Sequence, residues 1–377
     1  MSKRYYDIDM ARCFFILTLP MIHVYEYLGS WGGMAGLLTE GTESVFAPIV
    51  CFLTVFGAPT FTVCMGMNIV FSRNAAPEKL KRRGIQLLFV ELCFNLLRYV
   101  LPGLIGVSIG GTDTADASTV LFWMVYGLIN SDILAFSGMA FMVFSLFIKR
   151  KFSGTKVAIA GILCFAINEL LARFVSPIID GNCNYFFSEL LGNLFYVNGD
   201  STFPLLSWLV FPCFGYFFAE KFVNKDSEKP WHGMGGIAAI CLIAAIILAN
   251  GSDGSIMSRL NATELSNRLD PLCALGEVSA SFVFIYICHI LFGALGLDKN
   301  ERVKAGMMKY SSCITYNYLV QWTIIGWALF ISGGIHLWNS QSMGIAVTIV
   351  CIVVITAFSY VFGRFLQKKD KSFGIIP

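Results

Sequence analysis

The sequence is poor in charged side chains, which make up 14% of its 377 residues, whereas hydrophobic residues make up 56%. A soluble globular domain carries about 25% charged residues, so this composition excludes a soluble protein. The apolar windows recur from one end of the chain to the other, and no polar block separates them. We therefore expect a single membrane domain over residues 1–377 rather than two or three soluble domains.

Other scarcities exclude particular kinds of site. The four histidines have no paired ligand spacing and no carboxylate cluster beside them, so the sequence predicts no metal site. Nearly all of the twelve cysteines lie in or at the edges of apolar windows, which argues against a disulfide framework. A net charge of +3 is too small to indicate a nucleic-acid partner. The first apolar segment lacks a small-residue cleavage site, so we expect it to stay in the mature protein.

What the chain has instead is a series of long apolar windows. A helix that crosses a bilayer needs about 20 mostly apolar residues, and the window at 234–250 is the weakest that we count. The sequence therefore predicts an all-α fold, a polytopic integral membrane helix bundle of about ten transmembrane helices. The windows lie near 8–29, 46–72, 85–107, 129–148, 155–175, 204–222, 234–250, 273–295, 311–331 and 342–366.

The basic residues orient these windows. Most of the 27 Lys and Arg residues lie in the two tails and in alternate connections, whereas the opposite loops hold only Arg259 and Arg268. The positive-inside rule then places both termini in the cytoplasm, N-in and C-in. No outer loop is large enough for a folded catalytic domain, so we expect any chemistry within the bundle. The basic connections lie around 73–84, 149–154, 221–233 and 296–310.

The first window carries the densest set of polar side chains, Asp9, Arg12, His23 and Glu26. Charged groups at such depth are costly and often mark a site. On an ideal helix Arg12 and His23 share a face and lie roughly 16 Å apart along the axis, with Arg12 at the cytoplasmic end. The structural alternatives are a histidine that only bonds a neighbouring helix and an Asp9 that only pairs with Arg12 at the helix start.

Three later windows also carry polar residues, and in two of them the spacing of three or four residues makes one polar stripe. We expect several helices to converge on a polar interior. Interhelical hydrogen bonds and a Glu91–Arg98 pair that merely hold the bundle together are the alternative. The residues are Glu91, Asn95 and Arg98 in the third window, Asn168 and Glu169 in the fifth, and Asn317 and Gln321 in the ninth.

Residues Asp9-Met10-Ala11-Arg12, followed after ten residues by His23, resemble the Arg-X10-His signature of acyltransferase family 3 and its relatives. Other stretches are similar to patterns of the bacterial branch related to heparan-alpha-glucosaminide N-acetyltransferase and of related members. These are Phe56-Gly57-Ala58-Pro59-Thr60-Phe61 with Met65-Gly66 and a following Lys81-Arg82-Arg83, Phe203-Pro204-Leu205-Leu206-Ser207-Trp208 running to Gly215, and Asn317-Tyr318-Leu319-Val320-Gln321.

The resemblance implies a multi-helix membrane enzyme that moves an acyl group from cytoplasmic acyl-CoA to a sugar hydroxyl or amine across the membrane. It implies that His23 is the catalytic base and Arg12 its paired motif residue. The chain departs from the pattern at Cys13, where the family usually has glycine. The heparan-modifying branch has asparagine at the position of His23 and a histidine in the outer loop, but residues 30–45 hold none. An O-linked acceptor is therefore more natural.

The chemistry of imidazole agrees with this role, because its unperturbed pKa of about 6.5 lets the neutral ring take a hydroxyl proton near pH 7. We predict His23 as general base, Glu26 or another buried carboxylate as the group that orients its ring, and Arg98 as the group that stabilises the oxyanion. The phosphates of the donor co-substrate, acyl-CoA and most simply acetyl-CoA, are expected at a basic inner surface. Its predicted residues are Arg12, Lys81, Arg82 and Arg83. For the run at 79–83 a topology and lipid-headgroup signal is the ordinary role.

The expected partners are membrane lipid and a carbohydrate or glycolipid of the cell envelope, in the inner (plasma) membrane of a bacterium, and a homo-oligomer is compatible with the sequence. Two rival functions stay open. One is a transporter or exporter of a polar metabolite that uses the same intramembrane residues, against which the absence of a clear internal repeat weighs. The other is an inactive relative that binds lipid or a partner, against which the intact His23 weighs.

Overall fold

The computed structural model describes residues 5–24, 46–72, 75–108, 124–125, 127–129, 131–183, 185–198, 202–223, 229–251, 268–334 and 345–370. Every regular element within these ranges is helical, as predicted. Two π-helical turns, Leu96–Val100 and Ala219–Val223, and one 3-10 turn, Leu297–Lys299, join some of the helices. The α-helices are α1 (Tyr6–His23), α2 (Phe46–Phe71), α3 (Pro77–Asn95), α4 (Leu101–Ser108), α5 (Ile133–Lys149), α6 (Gly154–Phe174), α7 (Ser176–Asn182), α8 (Tyr185–Gly192), α9 (Leu205–Trp208), α10 (Val210–Phe218), α11 (Lys229–Gly251), α12 (Pro271–Ala294), α13 (Glu301–Ser311), α14 (Ile314–Gly334) and α15 (Ile345–Asp370).

Six helical stretches in the described ranges are long and apolar enough to cross a membrane. The window predicted as the weakest lies within one of them, in α11. A shorter apolar helix covers Phe56–Phe71. The all-helical membrane fold is thus confirmed, while about ten crossings and cytoplasmic termini stay predictions. The six stretches are Pro77–Ile105, Gly127–Lys149, Gly154–Phe174, Pro230–Asn250, Pro271–Ala294 and Ile349–Asp370.

Large apolar side chains on the outside of the longest helices agree with a lipid environment. In α11 a row of isoleucines three or four residues apart is mostly exposed, and in α15 a set of valines is exposed in the same way. In water such contiguous apolar faces mark an interaction surface or an aggregation hazard, whereas lipid tails solvate them. The exposed residues are Ile237, Ile240, Ile243 and Ile247 in α11 and Val350, Val353, Val354 and Val361 in α15.

Short polar side chains begin several of the helices. The Asp132 carboxylate accepts from the Ile133 N–H at 2.6 Å at the start of α5. Asp270 accepts from the N–H groups of Leu272 and Cys273 at the start of α12, where Pro271 occupies the first helical position. These caps satisfy N–H groups that have no partner within the helix. They therefore determine locally where these helices begin.

The contacts divide the chain into two compact units, each described by itself below. Helices α1 and α3 begin in unit 1 and end in unit 2. The single domain over 1–377 stays a prediction. Unit 1 comprises Met1–Phe15, Val55–Leu87 and Ser131–Ser311, and unit 2 comprises Ile16–Thr54, Leu88–Asn130 and Ser312–Pro377.

In unit 1, helices α2 and α10 cross with their backbones in close contact. A Cβ atom at Gly66 would lie 1.9 Å from the carbonyl oxygen of Pro212, and one at Gly215 would lie 2.1 Å from that of Val63. Glycine is required at both positions because only a residue without a side chain lets two helices approach so closely. Both glycines belong to the stretches that carry the family resemblance, so helix packing accounts for them.

The close approach of α2 and α10 predicts that a side chain at Gly66 lowers the stability of the protein. The methyl group in Gly66→Ala has no room, so we expect the variant to lose about 1–3 kcal/mol of unfolding free energy or more. Gly236→Ala is the matched control, because a Cβ atom there meets nothing within 4 Å and alanine is the better helix former. Heating the two purified variants in detergent and measuring the remaining monodisperse fraction by size-exclusion chromatography compares them. Equal melting temperatures would contradict the close crossing.

In unit 2, a proline determines the shape of the chain around Arg98. Pro102 has no N–H, and its ring would collide with the carbonyl of the residue four positions earlier, which is Arg98. The chain widens there into the π-helical turn Leu96–Val100, where the N–H of Leu101 donates to the carbonyl of Leu96. A widened turn inside a helix is often found at a functional site.

Helix α14 packs against this widened turn. The indole Nε1 of Trp327 donates to the carbonyl of Leu97 at 2.9 Å. At the neighbouring Gly326 a Cβ atom would lie 2.4 Å from the carbonyl oxygen of Arg98. Gly326 and Trp327 of α14 thus pack closely against the π-helical turn. The turn positions the Arg98 side chain.

Candidate functional site

His23 ends α1 and is buried, with 9% of its surface exposed. The Nε2 of Gln321 in α14 donates a hydrogen bond to its Nδ1 at 2.7 Å. The imidazole also packs on the indole of Trp322, with ring centroids 4.2 Å apart. The sequence placed Gln321 in a polar interior but did not connect it to His23.

Arg98 lies in the same unit inside a cage of aromatic rings. Its Cζ is 4.5 Å from the ring centroids of Phe94 and Tyr99 and 5.3 Å from that of Trp322. The side chain is 2% exposed. A desolvated cation over aromatic faces is stabilised by about 2 kcal/mol or more. Trp322 therefore contacts both the histidine predicted as base and the arginine predicted to stabilise the oxyanion.

Polar groups of α3 balance the charge of Arg98. Its Nη2 lies 3.5 Å from Glu91 Oε1, and its Nε donates to Asn95 Oδ1 at 3.1 Å. The Asn95 amide in turn donates to the carbonyl of Leu128 at 3.3 Å. All three side chains of the predicted stripe are buried. An ion pair and a hydrogen bond thus join the three side chains of the stripe, an arrangement that agrees with a structural role as well as with a catalytic one.

Asn317 lies one helical turn before Gln321, also buried. Its Oδ1 accepts from the Cys313 thiol at 3.3 Å, and its Nδ2 has no hydrogen-bond partner within the described part of the chain. At Gly363 in α15 a Cβ atom would lie 2.5 Å from the Asn317 Oδ1. Helix packing against α15 therefore uses this residue. Glu26, the other predicted catalytic residue, lies outside the described residues.

In unit 1, Asp9, Arg12 and Ser311 form a compact triangle. Ser311 Oγ donates to Asp9 Oδ1 at 2.8 Å, and Arg12 Nη1 donates to Ser311 Oγ at 3.3 Å and lies 3.5 Å from Asp9 Oδ1. The guanidinium also lies 5.8 Å from the ring centroid of Phe61. The Nε of Arg12 is buried and has no hydrogen-bond partner among the described residues. Arg12 is thus held in place while part of its donor capacity is unused.

The basic run lies at the start of α3, with Lys81, Arg82 and Arg83 exposed. The Cζ of Arg83 is 4.8 Å from the ring centroid of Phe141 in α5. Arg83 and Arg12 both belong to unit 1 and are close enough for their like charges to repel. Asp9 pairs with Arg12, and the second guanidinium group nearby leaves a positive charge that favours an anion.

Asn168 and Glu169 also belong to unit 1, where they fasten neighbouring segments. The backbone N–H of Tyr196 donates to Asn168 Oδ1 at 2.9 Å, and Asn168 Nδ2 donates to Glu169 at 3.3 Å. Arg268 Nη2 donates to Glu169 Oε2 at 2.9 Å. These bonds hold neighbouring segments together. The geometry therefore gives no support to a catalytic role for Asn168 or Glu169.

The sequence missed a second polar cluster of unit 1. Asp7, buried in the first turn of α1, lies 2.8 Å from His289 Nδ1 in α12. The Trp231 ring stacks on His289 with centroids 4.2 Å apart. The two members of the Asp7–His289 pair lie 282 residues apart, so no local spacing could have found them. No group of three or more His, Cys, Asp or Glu side chains suited to a metal occurs in the described ranges.

A sequence model of the acyltransferase 3 family, described as an acyltransferase domain, matches residues 5–364. The chain belongs to the acyltransferase 3 family. The membership predicted from Arg12 and His23 is therefore confirmed. Together with the six apolar helices it identifies a multi-pass membrane protein of acyltransferase type. No curated protein and no solved structure matches this member of the family.

Proposed function

We propose that this acyltransferase 3 member moves an acyl group, most simply acetyl, from cytoplasmic acyl-CoA to a hydroxyl of a cell-envelope carbohydrate or glycolipid. One observation carries the proposal: the family's motif histidine, His23, is buried against Trp322, and Trp322 also contacts the buried Arg98. The proposed topology has about ten crossings with both termini in the cytoplasm, in a bacterial inner membrane.

The proposed reaction uses one base and one cation. The acceptor hydroxyl attacks the thioester carbonyl of acyl-CoA while its proton passes to His23. The tetrahedral intermediate bears an oxyanion, which Arg98 stabilises by charge in a site of low dielectric. When the intermediate collapses, the C–S bond breaks and the CoA thiolate leaves with the proton held by His23. The ring is then neutral again, and no metal enters the scheme.

The donor is proposed to bind at the cytoplasmic end of α1. The Arg12 guanidinium keeps an unused buried Nε donor, and Arg83 adds a second nearby cation. Guanidinium groups match phosphate oxygens in geometry and charge. The exposed Lys81 and Arg82 extend the same basic surface. The phosphates of CoA are therefore proposed to contact Arg12 and the basic run of α3.

A purified preparation in detergent tests the proposal. We expect the protein to release free CoA thiol from acetyl-CoA only when a hydroxyl acceptor is present, and the acetyl group to appear on the acceptor. Candidate acceptors come from comparing acetylated envelope glycans and lipids in cells with and without the protein. Solute flux in protein-containing liposomes without CoA, with no thiol release, would instead favour the transporter. An unchanged acetylation of every envelope glycan and lipid would count against an envelope acyltransferase.

A further inference from the structure

Asn317 and Ser359 each bury a polar group that has no hydrogen-bond partner among the residues that the structure describes. In Asn317 of α14 the group is the side-chain Nδ2, and in Ser359 of α15 it is the hydroxyl. Asn317 is 4% exposed and Ser359 is 3% exposed. Burying a polar group without a partner is costly, so each such group in a native protein needs an explanation.

The hydroxyl of Ser359 differs from other hydroxyls of the same helices. A serine or threonine within a helix commonly donates to the carbonyl four residues earlier. Thr356 in α15 donates in this way to Ile352 at 2.6 Å, and Thr323 in α14 donates to Leu319 at 2.8 Å. Ser359 makes no such bond within the described ranges, so its hydroxyl keeps its donor for another group.

Helices α14 and α15 run antiparallel in unit 2. The Tyr316 hydroxyl near the start of α14 donates to Asp370 Oδ2 at the end of α15, at 2.6 Å. One residue further along α14, Asn317 meets Gly363, where a Cβ atom would lie 2.5 Å from Asn317 Oδ1. Residues that come later in α14 therefore lie beside residues that come earlier in α15.

This register places Ser359 at the level of Gln321. Gln321 follows Asn317 by one helical turn of four residues. On α15, Ser359 precedes Gly363 by the same interval and lies on the same face. Four residues rise about 6 Å along a helix, and Gln321 contacts His23 at 2.7 Å. Asn317 and Ser359 therefore lie at levels about 6 Å apart, and the second level is that of His23.

The acyl donor of the proposed reaction has two hydrogen-bond acceptors at the same interval. In acyl-CoA, sulfur, two methylene groups and a nitrogen join the thioester carbonyl to the nearest amide carbonyl of the pantetheine arm. Three bonds of an extended chain span about 3.5 Å, so the five bonds between these two carbonyl carbons span roughly 6 Å. Both carbonyl oxygens accept hydrogen bonds, whereas an asparagine Nδ2 and a serine hydroxyl donate them.

We propose that Asn317 and Ser359 bind the end of the pantetheine arm that carries the acyl group. Asn317 Nδ2 donates to the amide carbonyl, and the Ser359 hydroxyl donates to the thioester carbonyl at the level of His23. The two residues hold the thioester within reach of the histidine, and the bonds that form and break stay those of the proposed reaction. This inference rests on the proposed function, because that function supplies the acyl-CoA donor.

Short thioesters test the role of Asn317. S-Acetyl-N-acetylcysteamine carries the thioester and the amide carbonyl, whereas S-pentyl thioacetate has the same chain length and no amide. We expect the ratio of their kcat/KM values, amide over alkyl, to fall about tenfold in Asn317→Leu, because leucine cannot donate to the amide. An unchanged ratio, which is the result if only water meets Asn317, would overturn the proposal.

The two carbonyls are distinguished by Ser359→Ala. Both short compounds contain the thioester, so we expect kcat/KM to fall about tenfold for both and their ratio to stay unchanged. Thr356→Val is the matched control, since it removes a hydroxyl of the same helix that bonds its own backbone, and it should leave both rates unchanged. Wild-type rates in a folded Ser359→Ala protein would contradict the assignment of Ser359.

A binding measurement separates this inference from the proposed function. Titration calorimetry of acetyl-CoA into purified protein without acceptor should show about tenfold weaker binding by Asn317→Leu. Leucine replaces an amide whose Nδ2 has no partner in the described chain, so the variant should melt no earlier than the wild type. If the wild type binds acetyl-CoA but transfers no acyl group, the proposed function fails, and weaker binding by Asn317→Leu still supports the inference. Equal affinities would overturn the inference alone, and a wild type that binds no acetyl-CoA would overturn both.

Discussion

Replacing His23 by alanine is expected to lower the rate of acyl transfer by about 10²-fold to 10⁴-fold, the contribution that a positioned general base makes. Without the imidazole the attacking hydroxyl keeps its proton until late in the reaction, and no other histidine lies in the described part of unit 2 to replace it. The measurement is acceptor-dependent thiol release from acetyl-CoA by purified protein. The effect should fall mainly on kcat, because the loss concerns the transition state.

The matched control is His232→Ala. His232 is exposed and belongs to unit 1, where its Nδ1 lies 2.5 Å from the hydroxyl of Tyr286. We expect this variant to keep the wild-type rate. Both variants must elute as single species and melt at similar temperatures for the comparison to count. A well-folded His23→Ala protein with the wild-type rate would remove the histidine from the mechanism and favour the transporter.

Arg98→Met should unfold more easily by about 3–5 kcal/mol, the cost of breaking a buried pair while one charge stays inside. The guanidinium bonds Asn95, faces Glu91 and lies against three aromatic rings, and methionine replaces none of these contacts. Arg98→Lys keeps the charge but has no planar fork to reach Asn95 and Glu91 together, so we expect an intermediate loss. Denaturant-induced unfolding in detergent, followed by tryptophan fluorescence, measures the difference.

Two further variants test the prediction for Arg98→Met. Arg173→Met removes an arginine that also lies near a ring, 5.5 Å from the centroid of Phe174, but is exposed. Its expected cost is at most about 1 kcal/mol. Adding Glu91→Gln to Arg98→Met removes the facing carboxylate and should recover part of the lost stability. If Arg98→Met and Arg173→Met cost the same, the buried cluster does not support unit 2 as we describe it.

Stability and catalysis separate in these experiments. The amide of Gln321 and the ring of Trp322 contact His23, and neither is charged, so we expect its removal to affect the rate more than the melting temperature. Arg98 has contacts on several sides, so its removal should affect both. A variant of Arg98 that melts normally but transfers acyl groups slowly would support its proposed role at the oxyanion.

Contacts within one helix were predictable because helical spacing is regular. Asp9 and Arg12 meet three residues apart, and Glu91, Asn95 and Arg98 form one stripe, as their spacing predicts. The Arg12 and His23 pair, which lies on one helix at a fixed interval, predicted the family together with the other short stretches. The basic run at the start of α3 and the long apolar helices were predictable from composition in the same way.

Partners across helices were not predictable, because no local rule relates residues so far apart in the chain. Gln321 bonds His23 from 298 residues away, and Asp7 and His289 are 282 residues apart, so the spacing around either residue does not indicate its partner. The role of Pro102 in widening the turn at Arg98 became clear only with the close approach of Gly326. The sequence by itself therefore determined the membrane class and the family, because apolar length and the spacing of residues along one helix are local properties. Only the tertiary structure decided that the amide of Gln321 contacts the ring of His23, since that contact depends on which face of α14 packs against α1.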